Sequence, residues 1–161
     1  QNSLSYDGSG KKFPTVDAVN EGLKKMCVIY RFAHSAVSPS DNNVYYFGDL
    51  SELVATSSPV LSRTVMSLVD GFITEASILY AVGGNVGSSH YSTFRINNLT
   101  KNTNARIGII THTTSESNVF QTLEQPLWVS KGDLLQIAWE TPAWSTNPTS
   151  VRHIISVKVE I

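Results

Sequence analysis

The chain has little charge, one cysteine and no long apolar segment, and each shortage excludes a class of protein. Of its 161 residues only 16% are charged, and the net charge is −1, so it lacks the concentrated basic surface of nucleic-acid-binding proteins. Cys27 is the single cysteine, which excludes an internal disulfide framework, and its apolar neighbours favour a buried structural residue. No apolar run approaches the roughly 18 residues of a membrane span, so no membrane insertion is expected.

The sequence also lacks the motifs of enzymes and cofactor-binding proteins. No nucleophile elbow, phosphate-binding loop or paired-glutamate signature occurs, and His34, His90, His112 and His153 have no zinc-type spacing. We therefore expect no cofactor, no metal and no enzymatic activity, although the many serines leave a Ser–His–Asp arrangement open. His153 is the best candidate for a metal ligand on a threefold axis, but a hydrogen-bonded interior or interface histidine is the favoured interpretation.

Small polar residues take the place of charged ones, since 46 residues are Ser, Thr or Asn. Ser and Asn favour turns and caps, and Thr favours strands, a mixture typical of many short strands joined by polar loops. Such neutral hydrogen-bonding groups also suit a surface that works outside cells. Nothing near Gln1 has the layout of a signal peptide, and a chain that begins with Gln is expected to be a fragment.

The clearest predicted strand covers residues 151–161, where apolar and polar residues alternate. One face carries Val151, His153, Ile155, Val157, Val159 and Ile161. Eleven residues of this alternation predict a long strand with one buried face. We expect the strand to be central in a sheet or buried between subunits, because as a free edge it would promote aggregation.

Period-two patterns predict about eight strands in all after residue 25. The others cover residues 26–33, 43–47, 60–67, 71–82, 91–97, 105–111 and a hairpin over 125–140. Their inward faces are predicted to carry Thr74, Ala76, Ile78, Tyr80 and Val82; Phe94 and Ile96; Ala105, Ile107 and Ile109; and Leu135, Ile137 and Trp139. This spacing predicts a single β-sandwich or jelly-roll domain over residues 26–161.

Residues 1–25 are expected to form a linker, polar and glycine-containing over 1–12, with a short helix over 15–25. Val16, Val19, Leu23 and Met26 would share one face of that helix.

Loops carry recognition on β scaffolds, and four polar loops are predicted, at 35–43, 83–91, 112–118 and 141–150. They present Asn42, Asn43, His90, Tyr91 and Trp144 as candidate ligand-binding residues. Their hydroxyl and amide groups suit hydroxyl-rich ligands, with Tyr91 as a stacking surface. For Trp144, packing over the core is favoured above stacking on a sugar. Asn98-Leu99-Thr100 fits the glycosylation pattern, a triplet that often arises by chance.

One segment of the sequence resembles a known family. The run Pro142-Ala143-Trp144-Ser145-Thr146-Asn147-Pro148-Thr149-Ser150-Val151-Arg152, followed by an alternating strand, is similar to the C-terminal jelly-roll heads of phage tail fibres and related bacterially encoded trimeric fibre proteins. Weaker likenesses lie in Tyr45–Leu50, in residues 71–82, in Lys131-Gly132-Asp133 and in Phe13–Asn20. Together these segments span residues 13–161.

The resemblance implies a TNF-like jelly-roll head that forms a homotrimer at a fibre tip, in a phage virion or a phage-like particle. It implies binding to glycans or other molecules of a bacterial envelope, for attachment to host or prey. Trp144, Asn147, Pro148 and Arg152 would have structural roles, with Arg152 paired to a carboxylate or carbonyl. Two alternatives stay open: a structural trimerisation cap without a ligand and, less favoured, a hydrolase of a cell-surface polymer.

Overall fold

The structure, a computed structural model, describes residues 4–6, 12–14, 26–49, 56–86, 90–112 and 117–161, and these are mainly strand. The strands are β1 (Leu4–Tyr6), β2 (Lys12–Pro14), β3 (Cys27–Val37), β4 (Val44–Phe47), β5 (Val65–Met66), β6 (Gly71–Gly83), β7 (His90–Asn98), β8 (Thr103–His112), β9 (Ser117–Val129), β10 (Leu134–Glu140) and β11 (Ser150–Glu160). The helix predicted over 15–25 lies outside the described residues.

Two antiparallel sheets face each other as a sandwich. One has the strand order β3-β11-β6-β9, and the other has the order β4-β10-β7-β8, with the short β5 also paired to β10. Most connections pass from one sheet to the other, as in jelly rolls. The predicted all-β jelly-roll fold is therefore confirmed. β1 and β2 form a separate antiparallel pair within a segment that was expected to be linker.

β11 lies between β3 and β6 and pairs with both along its length, so its predicted central position is confirmed. Its inner face consists of Val151, His153, Ile155, Val157 and Val159, all of which are buried. Ile161 lies beyond the last paired residue, Glu160, and is 51% exposed. The predicted burial of Ile161 is wrong because no strand among the described residues covers it.

The inner faces of the two sheets form one core of aromatic and branched side chains. The largest fully buried members include Trp139, Phe32, Phe47, Phe94, Ile78, Ile96, Leu135, Ile137 and Ile155. The predicted inward faces of β7 and β10 are thereby confirmed. Each such side chain contributes about 1.5–3 kcal/mol by leaving water, which explains how the sandwich is stable without a disulfide.

Two irregularities in strand pairing move predicted inward faces by one residue. Beyond the shift in the β7–β8 register, Ile110 is buried and Ile109 is 41% exposed. Beside the shift between β6 and β9, Ile73 is buried, and Thr74 is only half-buried. The predictions for Ile109 and Thr74 are wrong because a bulge adds one residue and reverses the alternation.

The hairpin predicted over 125–140 is wrong, although both of its strands exist. β9 pairs with β6 in the four-stranded sheet, whereas β10 pairs with β4, β5 and β7 in the other. The turn over 130–133 therefore crosses between sheets. Gly132 adopts a φ of +92° in this turn, which glycine permits, but turn chemistry does not specify which sheet the next strand joins.

Three smaller predictions also differ from the structure. The strand expected over 60–67 is reduced to Val65–Met66, because a turn of 3-10 helix covers Leu61–Arg63. β9 already begins at Ser117, inside the predicted loop 112–118. Cys27 is exposed, so its predicted burial is wrong; as the first residue of β3 it lies on the outer face of the sheet.

We call the two ends of the sandwich the proximal end and the distal end, because they carry different connections. The antiparallel register pairs Cys27 with Glu160 at the proximal end and Val37 with Ser150 at the distal end. The chain therefore enters the sandwich at the proximal end, beside the turns that lead into β6, β8 and β10. The distal end carries loops 38–43 and 141–149, the ends of β6 and β8, and the starts of β7 and β9.

Candidate functional site

The described parts of the four predicted binding loops lie together at the distal end. Loop 38–43 is joined to loop 141–149 by the Asn42 N–H, which donates to the Pro142 carbonyl at 3.1 Å. Loop 141–149 is joined to the end of β6 at Gly83, whose carbonyl accepts the N–H of Thr149. The sequence pattern does not reveal this convergence. It results from the strand order, which brings alternate connections to the same end.

Asp41 joins the two loops, and sequence reasoning did not select it. Its Oδ1 accepts Nδ2 of Asn147 at 2.9 Å and the backbone N–H of Trp144 at 3.3 Å. Asn147 Nδ2 also donates to the Pro39 carbonyl. The available signal was an aspartate within a short Ser/Asn-rich loop, because such side chains accept hydrogen bonds from nearby N–H groups.

Asn42 and Asn43, both predicted to bind ligand, have different surroundings. Asn42 is exposed with a φ of +48°, a left-handed conformation in which asparagine is enriched. Asn43 is half-buried. Its Oδ1 accepts the Val44 N–H, and its own N–H donates to Thr141 Oγ1, each at 2.8 Å. Asn42 is thus accessible to a ligand, whereas Asn43 fixes the loop.

His90 and Tyr91 are the first residues of β7 and point in opposite directions. Tyr91 is 67% exposed and presents an aromatic face with a hydroxyl, which suits stacking on a sugar. His90 is half-buried, and its Nε2 lies 2.9 Å from both the backbone nitrogen and the Oγ of Ser145. His90 therefore holds loop 141–149 against the sandwich.

The Trp144 ring is buried beneath loop 141–149. It is 6% exposed, and its ring centroid lies 5.5 Å from that of His90 and 5.3 Å from that of His112. This position supports packing, the alternative favoured from the sequence. Arg152, at the start of β11, is exposed and pairs with no carboxylate or carbonyl in the described part of one chain, so the pairing expected for it stays a prediction.

All four histidines belong to one aromatic cluster that reaches from the core to the distal end. His34 Nε2 lies 2.6 Å from His153 Nδ1, and the His153 and His112 rings are 5.4 Å apart. His112 Nε2 contacts Ser92 Oγ, which also accepts the indole N–H of Trp139. The interpretation of His153 as a hydrogen-bonded interior histidine is confirmed.

Burial lowers the pKa of each core histidine. The pKa of His34 falls from 6.5 to about 3, and that of His112 falls to about 4. The pKa of His153 lies well below its ordinary value, first because of burial and then because of the neighbouring imidazoles of His34 and His112. The three rings are therefore neutral near pH 7.

Among the contacts between described residues, neither serine–histidine pair has the arrangement of an activated nucleophile. Ser92 is fully buried, so no substrate reaches it. At the surface, His90 Nε2 already accepts the Ser145 N–H, and the Ser145 hydroxyl donates to the Val86 carbonyl at 3.0 Å. A catalytic histidine needs that nitrogen for the serine proton. Within the described ranges, no group of three or more His, Cys, Asp or Glu is placed to hold a metal ion.

A polar network at the proximal end gives a structural role to Asn98 of the glycosylation triplet. Asn98, the first residue of the glycosylation triplet, is fully buried, and its Nδ2 donates to Asp133 Oδ2 at 2.6 Å. Lys101 Nζ lies 2.9 Å from the same oxygen. The Asn98 amide is therefore not accessible for glycosylation in the folded chain. No described helix is long and apolar enough to cross a membrane.

No protein-family model matches the chain, and no curated protein matches its sequence. Among solved structures, Eiger TNF from S. frugiperda is similar over 84% of this chain and 92% of its own, with 11% identity and a TM-score of 0.42. A family 29 carbohydrate-binding module is similar over 83% and 88%, with 9% identity and a TM-score of 0.42. The globular domain of zebrafish complement 1qA is similar over 83% and 98%, with 8% identity and a TM-score of 0.41. These similarities concern the fold alone.

Proposed function

We propose that the chain is a trimeric head at the tip of an extracellular phage or phage-like fibre and binds glycans of a bacterial envelope. One observation carries the proposal: the candidate residues lie at the distal end, opposite the end at which the chain enters β3. A shaft that precedes the head leaves the distal end to meet a cell. The resemblance of the Trp144–Arg152 run to fibre heads also implies that the distal end of the head faces the cell.

The outer face of the four-stranded sheet supports contact between copies of the chain. Its exposed apolar residues are Ile29, Val37, Phe72, Leu79, Phe120, Trp128 and Ile154. The Phe72 and Trp128 rings are in contact, with centroids 4.8 Å apart, and Ile29 and Phe120 line one groove. Such a surface is rarely left in water by a monomer, and a closed ring of three copies would bury it.

The proposed ligand site is built around Tyr91 and Asn42, the two accessible candidates. Tyr91 would stack on a sugar ring, and Asn42 would exchange hydrogen bonds with its hydroxyl groups. His90, Asn43 and Trp144 would keep the surrounding loops in place. One such site binds weakly, but three sites engaged on one cell can raise the apparent affinity by about 10²–10⁴.

Binding to whole bacterial cells, compared with a soluble monosaccharide, tests this proposal. We expect clear binding to cells of a susceptible strain and weak binding to the monosaccharide. Tyr91→Ala should remove about 1 kcal/mol per site, a loss that several engaged sites multiply, with unchanged thermal stability. Lys131→Ala, an exposed change at the proximal end, is the matched control. Cell binding that survives both Tyr91→Ala and Asn42→Ala would contradict the proposed site.

A structural trimerisation cap without a ligand is the second candidate, because the apolar outer face would serve that role equally well. Light scattering should give a mass near three chains for both candidates, and a stable monomer would contradict both. A trimer that binds no envelope fraction from a wide panel of bacteria would favour the cap. Release of reducing sugar from those fractions would instead reveal a hydrolase.

A further inference from the structure

A polar groove lies between β8 and β9, where the edges of the two sheets approach each other. Its volume is about 210 Å³, and its lining includes Arg106 and Ile109 from β8 and Gln121, Thr122 and Glu124 from β9. These residues occupy the middle of their strands, away from the distal loops. Gln121 and Thr122 pair with Ala76 and Glu75, which line the outer-face groove that Phe120 also lines. The polar groove is therefore separate from the distal site and borders the apolar outer face.

Two opposite charges line this groove without being paired. In the described part of the chain, neither Arg106 nor Glu124 forms an ion pair or a side-chain hydrogen bond, and both are exposed. By contrast, Arg95, directly opposite Arg106 on β7, is paired with Glu140 at 3.0 Å. The guanidinium and the carboxylate of the groove thus keep their full hydrogen-bonding capacity.

Backbone irregularities shape the groove. The shifted β7–β8 register brings Ile109 to the surface, where it supplies an aliphatic wall. Gly108 lets β9 approach closely, since a Cβ at this position would lie 2.9 Å from Gln121 Cγ. On β9, residues 123–126 leave the pairing with β6, and Glu124 projects from this unpaired stretch. Bulges at sheet edges commonly redirect a side chain in this way.

From this geometry we infer that the groove binds one saccharide unit. Neighbouring hydroxyl groups of a sugar each offer one donor and two acceptor lone pairs. Glu124 accepts two hydroxyl protons, while Arg106 and the Gln121 amide donate to hydroxyl oxygens. Ile109 contacts the C–H face of the ring. The groove is smaller than the 300–1,000 Å³ typical of drug-sized ligands, which fits a single sugar.

Nuclear magnetic resonance of the labelled protein tests the inference with the methyl glycosides of glucose, galactose, mannose and N-acetylglucosamine. At least one glycoside should shift the amide signals of residues 106–109 and 121–124, with a dissociation constant of about 1 mM or weaker. Glu124→Gln, which keeps the shape but removes the charge, should weaken that binding about tenfold. Gly108→Ala should weaken it too, because the new methyl group displaces Gln121 into the groove.

Gln125→Ala is the matched control, since Gln125 is exposed on the same strand but does not line the groove, and it should leave the shifts unchanged. Tyr91→Ala should also leave them unchanged, which separates this site from the proposed distal one. The inference is overturned if none of the four glycosides shifts the groove signals. Shifts confined to the distal end, or unchanged affinity in Glu124→Gln, would overturn it as well.

Discussion

Acid should destabilise the sandwich through its buried histidines. The folded pKa values of His34 and His112 are about 3 and about 4, below the ordinary value of 6.5 that applies when the chain is unfolded. Below about pH 6.5, these histidines therefore bind protons in the unfolded chain that they do not bind in the folded chain. The stabilisation from the neutral rings is complete above about pH 6.5 and is lost as the pH falls from there toward the folded values.

The size of this effect follows from the difference in pKa. At pH 4, an unfolded histidine with a pKa of 6.5 is protonated, while folded His34 is still neutral. At about 1.4 kcal/mol per pH unit, the loss from His34 alone between pH 7 and pH 4 is about 3 kcal/mol. His112 contributes a similar amount, and His153 acts in the same direction. Because the three rings touch, their contributions do not simply add.

Urea unfolding at pH 7, 5.5 and 4, at constant ionic strength, measures this loss. The His34→Gln variant removes one titrating ring, while its amide can donate a hydrogen bond to His153 Nδ1 or accept one from it. We expect the variant to be less stable than the parent at pH 7 because ring contacts with Phe47 and Trp139 are lost. Its further loss on going to pH 4 should be smaller than that of the parent by about 3 kcal/mol.

The reasoning is refuted if the parent has the same unfolding free energy at pH 7 and pH 4. It is also refuted if His34→Gln shows the full pH dependence of the parent. Calorimetry gives an independent measure, since unfolding near pH 5 should take up protons from the buffer.

The remaining predictions concern single side chains. Val157→Asp, on the buried face of β11, should cost several kcal/mol and abolish the fold or the oligomer. Lys158→Ser, on the outer face, should leave the urea midpoint nearly unchanged despite its acidic neighbours; equal effects would mean that the faces are misassigned. Trp144→Ala should cost about 3–5 kcal/mol in thermal unfolding, and an unchanged melting temperature would mean that the ring is not packed. Asp133→Ala should cost about 1–3 kcal/mol because it leaves the buried Asn98 amide without its acceptor; chemical denaturation that matches the parent would contradict this.

Strand existence was predictable because alternation is a local property of the sequence. The buried set from Val151 to Val159 follows directly from residues that recur every second position. Ile109 and Thr74 were misassigned because a bulge depends on the partner strand, which the alternating residues do not specify. The prediction of a hairpin around the 130–133 turn was wrong for the same reason. A tight turn can connect two strands of one sheet or two strands of facing sheets.

The candidate site was predictable in composition but not in arrangement. Asn42, Tyr91 and Trp144 were selected because polar and aromatic residues in loops suggest recognition. That their loops share one end required the strand order, which is a property of the whole chain. Asp41 was missed because its importance comes from partners more than 100 positions away in the sequence, Trp144 and Asn147.

The position of β11 has a consequence for how the molecule is made. β3 and β6 do not pair with each other; both pair with β11, so the centre of that sheet stays open on a ribosome until residues 150–160 have emerged. Until then a nascent chain would expose two unpaired strand edges, and pairing over such long sequence separations is slow. The yield of soluble protein should therefore depend on growth temperature and chaperones more than the stability of the finished sandwich would suggest.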